Sequence, residues 1–257
     1  QQWEKLQSHN LDGLTEKEVL LAIESGVLVD EDVNEFQEII NYTRKSINDN
    51  KSLGVMIVPT AFCPLGCNLN EYGGYCGQVH AKESMNLEKQ AILVKSITEG
   101  ILPKHRNLSI TWFGGEPLAA THVIRHLSSQ LIEVANKNNL SYNSDLTTGG
   151  TLLTHQVAQE CYFDFKINAI NVSLDGPKEV HDSRRGGKNG KPSFDTVVSN
   201  LESIINDSSL DNLHLAIRCN IDSRNIARVP ELISFLSSMN WQKRVELYFV
   251  PVHSWGN

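Results

Sequence analysis

Cys63, Cys67 and Cys76 fall within fourteen residues, in the run Thr60-Ala61-Phe62-Cys63-Pro64-Leu65-Gly66-Cys67 and the Asn- and Gly-rich stretch after it. Thiolates are soft donors, so three on one loop suit a soft metal or an iron–sulfur cluster. His80 follows Cys76 by four. Cys63, Cys67, Cys76 and His80 therefore also make a possible tetrahedral zinc set, which would give a metal-stabilised binding or adaptor module. Three thiolates on a four-iron cube would instead leave one iron open to a small chelating molecule.

Three further sets carry chemistry. Gly114-Gly115-Glu116-Pro117 joins two glycines, which let backbone approach a ligand, to a carboxylate that can accept from an ammonium group. Thr148-Gly149-Gly150-Thr151 offers hydroxyls at a helix start, a place suited to polar or anionic groups. Ser173-Leu174-Asp175-Gly176-Pro177 leads into His181, Asp182 and Arg184, where a planar guanidinium can grip a carboxylate. Asp175 and Asp182 read as holding the loop that carries Arg184. Each set alone is an ordinary turn, but all of them follow strand-like runs.

Those runs are 55–59, 108–113, 142–147, 169–174, 213–219 and 245–250, alternating with helical patterns near 86–99, 119–136, 152–161, 194–206 and 224–239. Thr154 and Ser223 stand as caps. Six strands alternating with five helices predict a parallel sheet, open or part of a (β/α) barrel, with chemistry at the C-terminal strand ends. Residues 1–52 read as a separate helical leader, opened by a Thr15–Glu18 capping box, and 53–257 as the main domain. Cys161 and Cys219 read as buried small hydrophobes, with Cys219 a candidate for the cavity edge.

The 257 residues carry 23 Lys and Arg against 30 Asp and Glu, a net charge of −7, which argues against nucleic acid as a partner. No apolar run approaches bilayer length, so the reading is a soluble, cytoplasmic protein without a membrane partner.

Taken together, the ordered motifs resemble the radical S-adenosylmethionine superfamily, in particular its peptide- and protein-modifying branch with SPASM or twitch extensions, such as anaerobic sulfatase maturases and maturases of ribosomally made peptides. The resemblance covers about residues 53 to 257. It implies an α/β fold, a partial (β/α)6 barrel after the helical leader. It implies a [4Fe-4S] cluster on Cys63, Cys67 and Cys76, its open iron chelated by S-adenosyl-L-methionine. Gly114, Gly115 and Glu116 would receive the methionine amino group, Thr148 and Arg184 its carboxylate or ribose, and the backbone at Tyr75 the adenine, with Ser173 and Asp175 beside them. One-electron reduction by a flavodoxin- or ferredoxin-type partner would yield a 5′-deoxyadenosyl radical that takes hydrogen from a peptide or protein substrate, for crosslinking or oxidation. A radical enzyme with a small-molecule substrate is the variant reading.

Two features depart from the family pattern. Eight residues separate Cys67 from Cys76 where the family has two, and Gly149 stands where the family has Asn. The sequence also ends just after the sixth strand, where the extension of this branch would begin; the expectation is that an extension is missing.

Overall fold

A computed structural model describes residues 14–24, 28–29, 32–49, 51–67, 82–188 and 190–252. Tyr75, Cys76 and His80 lie outside the described residues, as does Gly26, expected to end the first helix. The protein forms two compact units, 1–50 and 51–257.

The first unit holds α1 (Glu16–Glu24) and α2 (Glu35–Asp49). The capping box forms: the Thr15 N–H donates to Glu18 Oε2 at 2.7 Å, and the Glu18 N–H reaches back to Thr15 Oγ1 at 3.4 Å. Asn34 caps α2 by accepting from the Gln37 N–H at 3.0 Å. Ala22 is buried, whereas Leu20, Ile23, Phe36 and Ile39 are exposed. Apolar periodicity in this unit marks helix rather than core.

The second unit contains six strands: β1 (Ser52–Ile57), β2 (Asn107–Trp112), β3 (Ser141–Thr148), β4 (Ile167–Ser173), β5 (His214–Ile221) and β6 (Val245–Pro251). They pair in parallel in sequence order, from β1 to β6. Among the described residues no pairing joins β6 back to β1, so the sheet is an open, partial barrel. Between strands lie α3 (Leu87–Glu99), α4 (Thr121–Lys137), α5 (His155–Phe163), α6 (Lys178–Arg185), α7 (Phe194–Ile205) and α8 (Val229–Ser238).

Alternation along each strand divides the two faces of the sheet. Leu108, Ile110 and Trp112 of β2 and Leu215, Ile217 and Cys219 of β5 belong to the core, as do Val123, Ile124, Leu127 and Leu131 of α4 and Val197, Leu201 and Ile204 of α7. Burial of each such side chain stabilises the fold by about 1.5–3 kcal/mol. The indole N–H of Trp112, fully buried, donates to Ser144 Oγ at 3.0 Å, which removes its desolvation cost. Cys161 lies in the same core, as its sequence context indicates. The opposite face carries Ser109 and Thr111 of β2, Asp145 and Thr147 of β3, Asn171 and Ser173 of β4, and Arg218 and Asn220 of β5. That concave, polar face meets the C-terminal loops.

The structure adds α6, which the sequence pattern does not show, and moves the start of α8. Ser223 caps no helix. Instead the Asp222 N–H donates to Asn225 Oδ1 at 2.8 Å, and the Asn225 N–H returns to the Asp222 carbonyl at 3.2 Å, closing a turn before Pro230 opens α8. β1 stops at Ile57, ahead of Pro59, which has no N–H to give to a ladder. No helix among the described residues is long and apolar enough to cross a membrane.

Candidate cofactor site

The loop after β1 carries Cys63 and Cys67, each 7% exposed, packed with Leu65 in a small apolar cluster. Two other strand ends hold that loop. The Gly115 N–H donates to the Thr60 carbonyl at 3.2 Å and the Glu116 N–H to the Phe62 carbonyl at 2.7 Å, so the turn after β2 is sewn to the Cys loop through backbone. From the other side, the Gly66 N–H donates to the Gly186 carbonyl at 2.7 Å and the Lys188 N–H to the Pro64 carbonyl at 3.0 Å. The residues after α6 thus form the other wall of the loop, with Lys188 Nζ 5.2 Å from the centre of the Phe62 ring.

The two glycines of the turn are required by that docking. Gly114 has φ +129°, and a Cβ on Gly115 would sit 2.4 Å from the carbonyl oxygens of both Ala61 and Phe62. These glycines place the Cys loop against β2. That packing role is not visible in the sequence, where the resemblance assigns both glycines to the methionine amino group.

Glu116 is 1% exposed. Its Oε1 accepts from the Leu118 N–H at 3.1 Å and the Thr148 hydroxyl at 2.8 Å, and its Oε2 from the Gly149 N–H at 2.8 Å. A carboxylate offers about four lone-pair sites. Among the described residues three are taken, and the remaining one is on Oε2. Burial raises the Glu116 pKa, and the three donors oppose that rise. Thr148 is spent in the same network, because its hydroxyl also accepts from the Gly150 N–H at 3.0 Å. A Cβ on Gly149 would lie 2.7 Å from Leu65 Cδ1 and 3.3 Å from Glu116 Oε2. Leu65 therefore occupies the space that the Asn of the family pattern would enter.

The motif points to Arg184, but the structure turns its neighbour to the Cys loop. Arg184, 3% exposed, sends Nη1 to the two Asp222 oxygens at 3.2 and 3.1 Å, and its Nε lies 3.8 Å from Asp175 Oδ2. Arg185 donates from Nε to Asp175 Oδ2 at 2.6 Å. Burial lowers the Arg185 pKa, and of the groups that raise it the Cys67 and Cys63 thiols come first. Positions 181, 184 and 185 share one face of α6. Without that helix in view, the two adjacent arginines look alike.

Asp175 is the hub of this wall. Its Oδ1 accepts from the Asn220 N–H and Nδ2, both at 2.9 Å, while Asn225 Nδ2 donates to its carbonyl at 2.8 Å. Burial pushes its carboxyl up to about 6, against the Asn220 donors and the charges of Arg184 and Arg218. Asp182 caps the start of α7, accepting from the Ser193 and Phe194 N–H groups at 2.8 Å each. Both aspartates hold the segment that carries the arginines. Ser173 ends β4, buried, in register with Arg218. Arg218, Asn220, Asp222 and Asn225 belong to no motif of the sequence. The available signal is the polar alternation of Arg218 and Asn220 in β5.

Burial pushes the Cys63 thiol up to about 11, with the neighbouring Cys67 and Glu116 adding to it. Two buried soft donors on one strand-end loop, beside an arginine and below a glycine turn, fit a thiolate-bound cluster, since binding iron deprotonates the thiols. Cys76 would complete the set from outside the described residues, and among the described residues no group of three or more metal-ligating side chains assembles.

A solved structure described as native anSMEcpe with bound AdoMet and Cp18Cys peptide superposes on 78% of this protein and 51% of its own length, with a TM-score of 0.62 and 23% identity. In sequence the protein is 26% identical over 180 residues to the cysteine-type anaerobic sulfatase-maturating enzyme of Clostridium novyi, an alignment that spans 70% of this sequence and 47% of the relative. The protein shares the fold of that structure and is similar in sequence to the anaerobic sulfatase-maturating enzymes. The serine-type enzyme of Bacteroides thetaiotaomicron is 32% identical over 159 residues, 59% of this sequence and 36% of that protein. The sequence thus spans about half the length, or less, of the relatives it matches. No family model matches it. The open six-strand sheet is the partial barrel that the radical S-adenosylmethionine resemblance implies, and the Cys loop, the Gly-Gly-Glu turn and the wall after β4 all stand at its C-terminal edge.

Proposed function

We propose that residues 51–257 form the radical-generating part of an enzyme that modifies a peptide or protein. In this reading Cys63, Cys67 and Cys76 hold a [4Fe-4S] cluster and S-adenosyl-L-methionine binds beside it. The observation that carries it is the convergence of three strand ends: backbone hydrogen bonds tie the Cys loop both to the Gly115–Glu116 turn and to the Gly186–Lys188 segment beside Arg185.

When bound and reduced by one electron, that pair of cofactors supplies a 5′-deoxyadenosyl radical able to remove a hydrogen atom from an unactivated carbon. The protein's own residues bind and aim. The acceptor site on Glu116 Oε2 that no described residue takes suits an ammonium, and the Arg185 guanidinium, oriented by Asp175, suits a carboxylate. Thr148 acts by orienting Glu116, and Arg184 by fixing the turn at Asp222. Ser173 would line the bound methionine, and the backbone at Tyr75 the adenine. The buried Leu65, packed between the two thiols, keeps water from them.

The relatives are named for maturing sulfatases, which supports a peptide or protein substrate for this protein. An external one-electron donor of flavodoxin or ferredoxin type would supply the electron. The test is to incubate the reconstituted protein with S-adenosylmethionine, reductant and peptide fractions from the source cells. The expected product of a crosslink or a simple two-electron oxidation is a peptide lighter by two hydrogen atoms, one carried off in 5′-deoxyadenosine and the other released as a proton while its electron passes to a one-electron acceptor. Modification confined to small metabolites would contradict the peptide reading.

A further inference from the structure

The guanidiniums around the end of β5 are not all answered. Arg185 pairs with Asp175 at 2.6 Å, and Arg184 and Arg224 pair with Asp222 at 3.1 and 2.6 Å. Asp175 also accepts twice from Asn220. Arg218 stands apart. Its Nε donates to Asn220 Oδ1 at 3.1 Å, and among the described residues no carboxylate lies within salt-bridge distance of it and no partner meets its two terminal nitrogens. Among the described residues, three of these four guanidiniums meet Asp175 or Asp222, and Arg218 is the one that meets neither within salt-bridge distance. A partly buried guanidinium with two unengaged nitrogens is a ready partner for an anion.

Its placement says which anion. Leu215, Ile217 and Cys219 of β5 turn to the helices, so Arg218 faces the concave side. In register beside it are Ser173 on β4 and Tyr248 on β6, whose hydroxyl donates to Asn171 Oδ1 at 3.0 Å. The concave side is open at the other edge, where Met56 is 63% and Val58 45% exposed. The cofactor's carboxylate has its own candidate in Arg185; Arg218 lies on the next strand of the wall and faces the concave side.

We propose that Arg218 is a substrate-anchoring residue, whose two terminal nitrogens take a peptide carboxylate inside the partial barrel, either an Asp or Glu side-chain carboxylate or the free carboxylate at a peptide's end. This rests on the peptide-modifying reading above. A planar guanidinium held at Nε presents its remaining edge for a bidentate contact, which fixes distance and direction together.

The experiment is affinity selection from a randomised heptapeptide library on the full protein, reconstituted and saturated with S-adenosylmethionine. One arm uses C-terminally amidated peptides and a second uses free acids. Wild type should enrich Asp and Glu over Asn and Gln at one position, or free acids over amides, by about tenfold, the size of one charge-assisted contact. Arg218→Met should erase that enrichment, and Arg218→Lys should restore part of it, which separates recognition from misfolding. Equilibrium dialysis of S-adenosylmethionine should give the same affinity for wild type and Arg218→Met. Absence of any preference in a wild-type protein that cleaves S-adenosylmethionine would overturn this inference alone, as would a preference kept by Arg218→Met. Loss of S-adenosylmethionine binding in Arg218→Met would overturn it too, by reassigning the residue to the cofactor. A wild-type protein that neither binds nor cleaves S-adenosylmethionine would overturn the underlying reading as well.

Discussion

Arg185 Nε donates to Asp175 Oδ2 at 2.6 Å, whereas Arg184, one residue before it, stands 3.8 Å from that oxygen and bonds Asp222 instead. Asp175 is held in turn by Asn220 and Asn225, so β5 and the turn before α8 fix the wall. The two arginines therefore answer for different things.

Arg185→Met should weaken S-adenosylmethionine binding by at least about tenfold, the value of one charge-assisted pair, with a smaller effect on unfolding. Arg184→Met should do the reverse, costing about 1–3 kcal/mol of stability because it opens a buried ion-pair network, while Arg224 still pairs with Asp222. Equilibrium dialysis and urea unfolding on both variants check the division. Equal loss of binding in both would refute it.

Gly115→Ala forces a methyl group within 2.4 Å of two backbone carbonyls that cannot rotate aside. The Cys loop must move off the turn after β2. A stability loss of about 2–4 kcal/mol should accompany reduced iron uptake. Gly149→Ala meets the end of the Leu65 side chain, which can turn, and should cost less. Equal behaviour of the two variants would show that the backbone docking does not set the loop.

His181 is fully buried: its Nδ1 accepts from the Asp175 N–H at 3.3 Å, and its Nε2 lies 3.0 Å from Ser193 Oγ. Burial pushes its pKa down to about 4. The unfolded protein then binds a proton at higher pH than the folded one, so the contribution of His181 is complete above about pH 6.5 and is lost as pH falls toward 4. Asp175, raised, works in the opposite sense, losing stability as pH rises toward 6. Comparison with His181→Gln cancels that contribution. The stability difference between wild type and variant should shrink by up to about 3 kcal/mol from pH 7 to pH 4. A difference constant across that range would contradict a neutral buried imidazole.

The sheet is legible in the sequence because its strands are short runs between turn signals, and buried Ser144, Leu146 and Thr148 alternate with half-buried Asp145 and Thr147 along β3 as a half-buried strand must. Glu116 is legible as a site residue because its turn, ordinary by itself, follows a strand-like run as the Cys loop does. Its actual partners, Thr148 and Gly149, are 32 and 33 positions away, and only the fold brings them together. The eight-residue helix α6 is too short and too charged to show periodicity, so the orientation of Arg184 against Arg185 stays hidden. Arg218 escapes notice for a related reason, since a lone arginine in a strand has meaning only once the carboxylates around it are counted.

Whether the cysteines hold a catalytic cluster is tested most directly by anaerobic reconstitution with iron and sulfide, followed by iron analysis and assay of 5′-deoxyadenosine after addition of S-adenosylmethionine and dithionite. The expected result is a brown protein with about four irons per molecule. It should form 5′-deoxyadenosine, and both properties should be lost in Cys63→Ala, Cys67→Ala and Cys76→Ala and kept in His80→Ala. A colourless protein that retains zinc, and releases it in His80→Ala, would contradict a catalytic cluster at these cysteines.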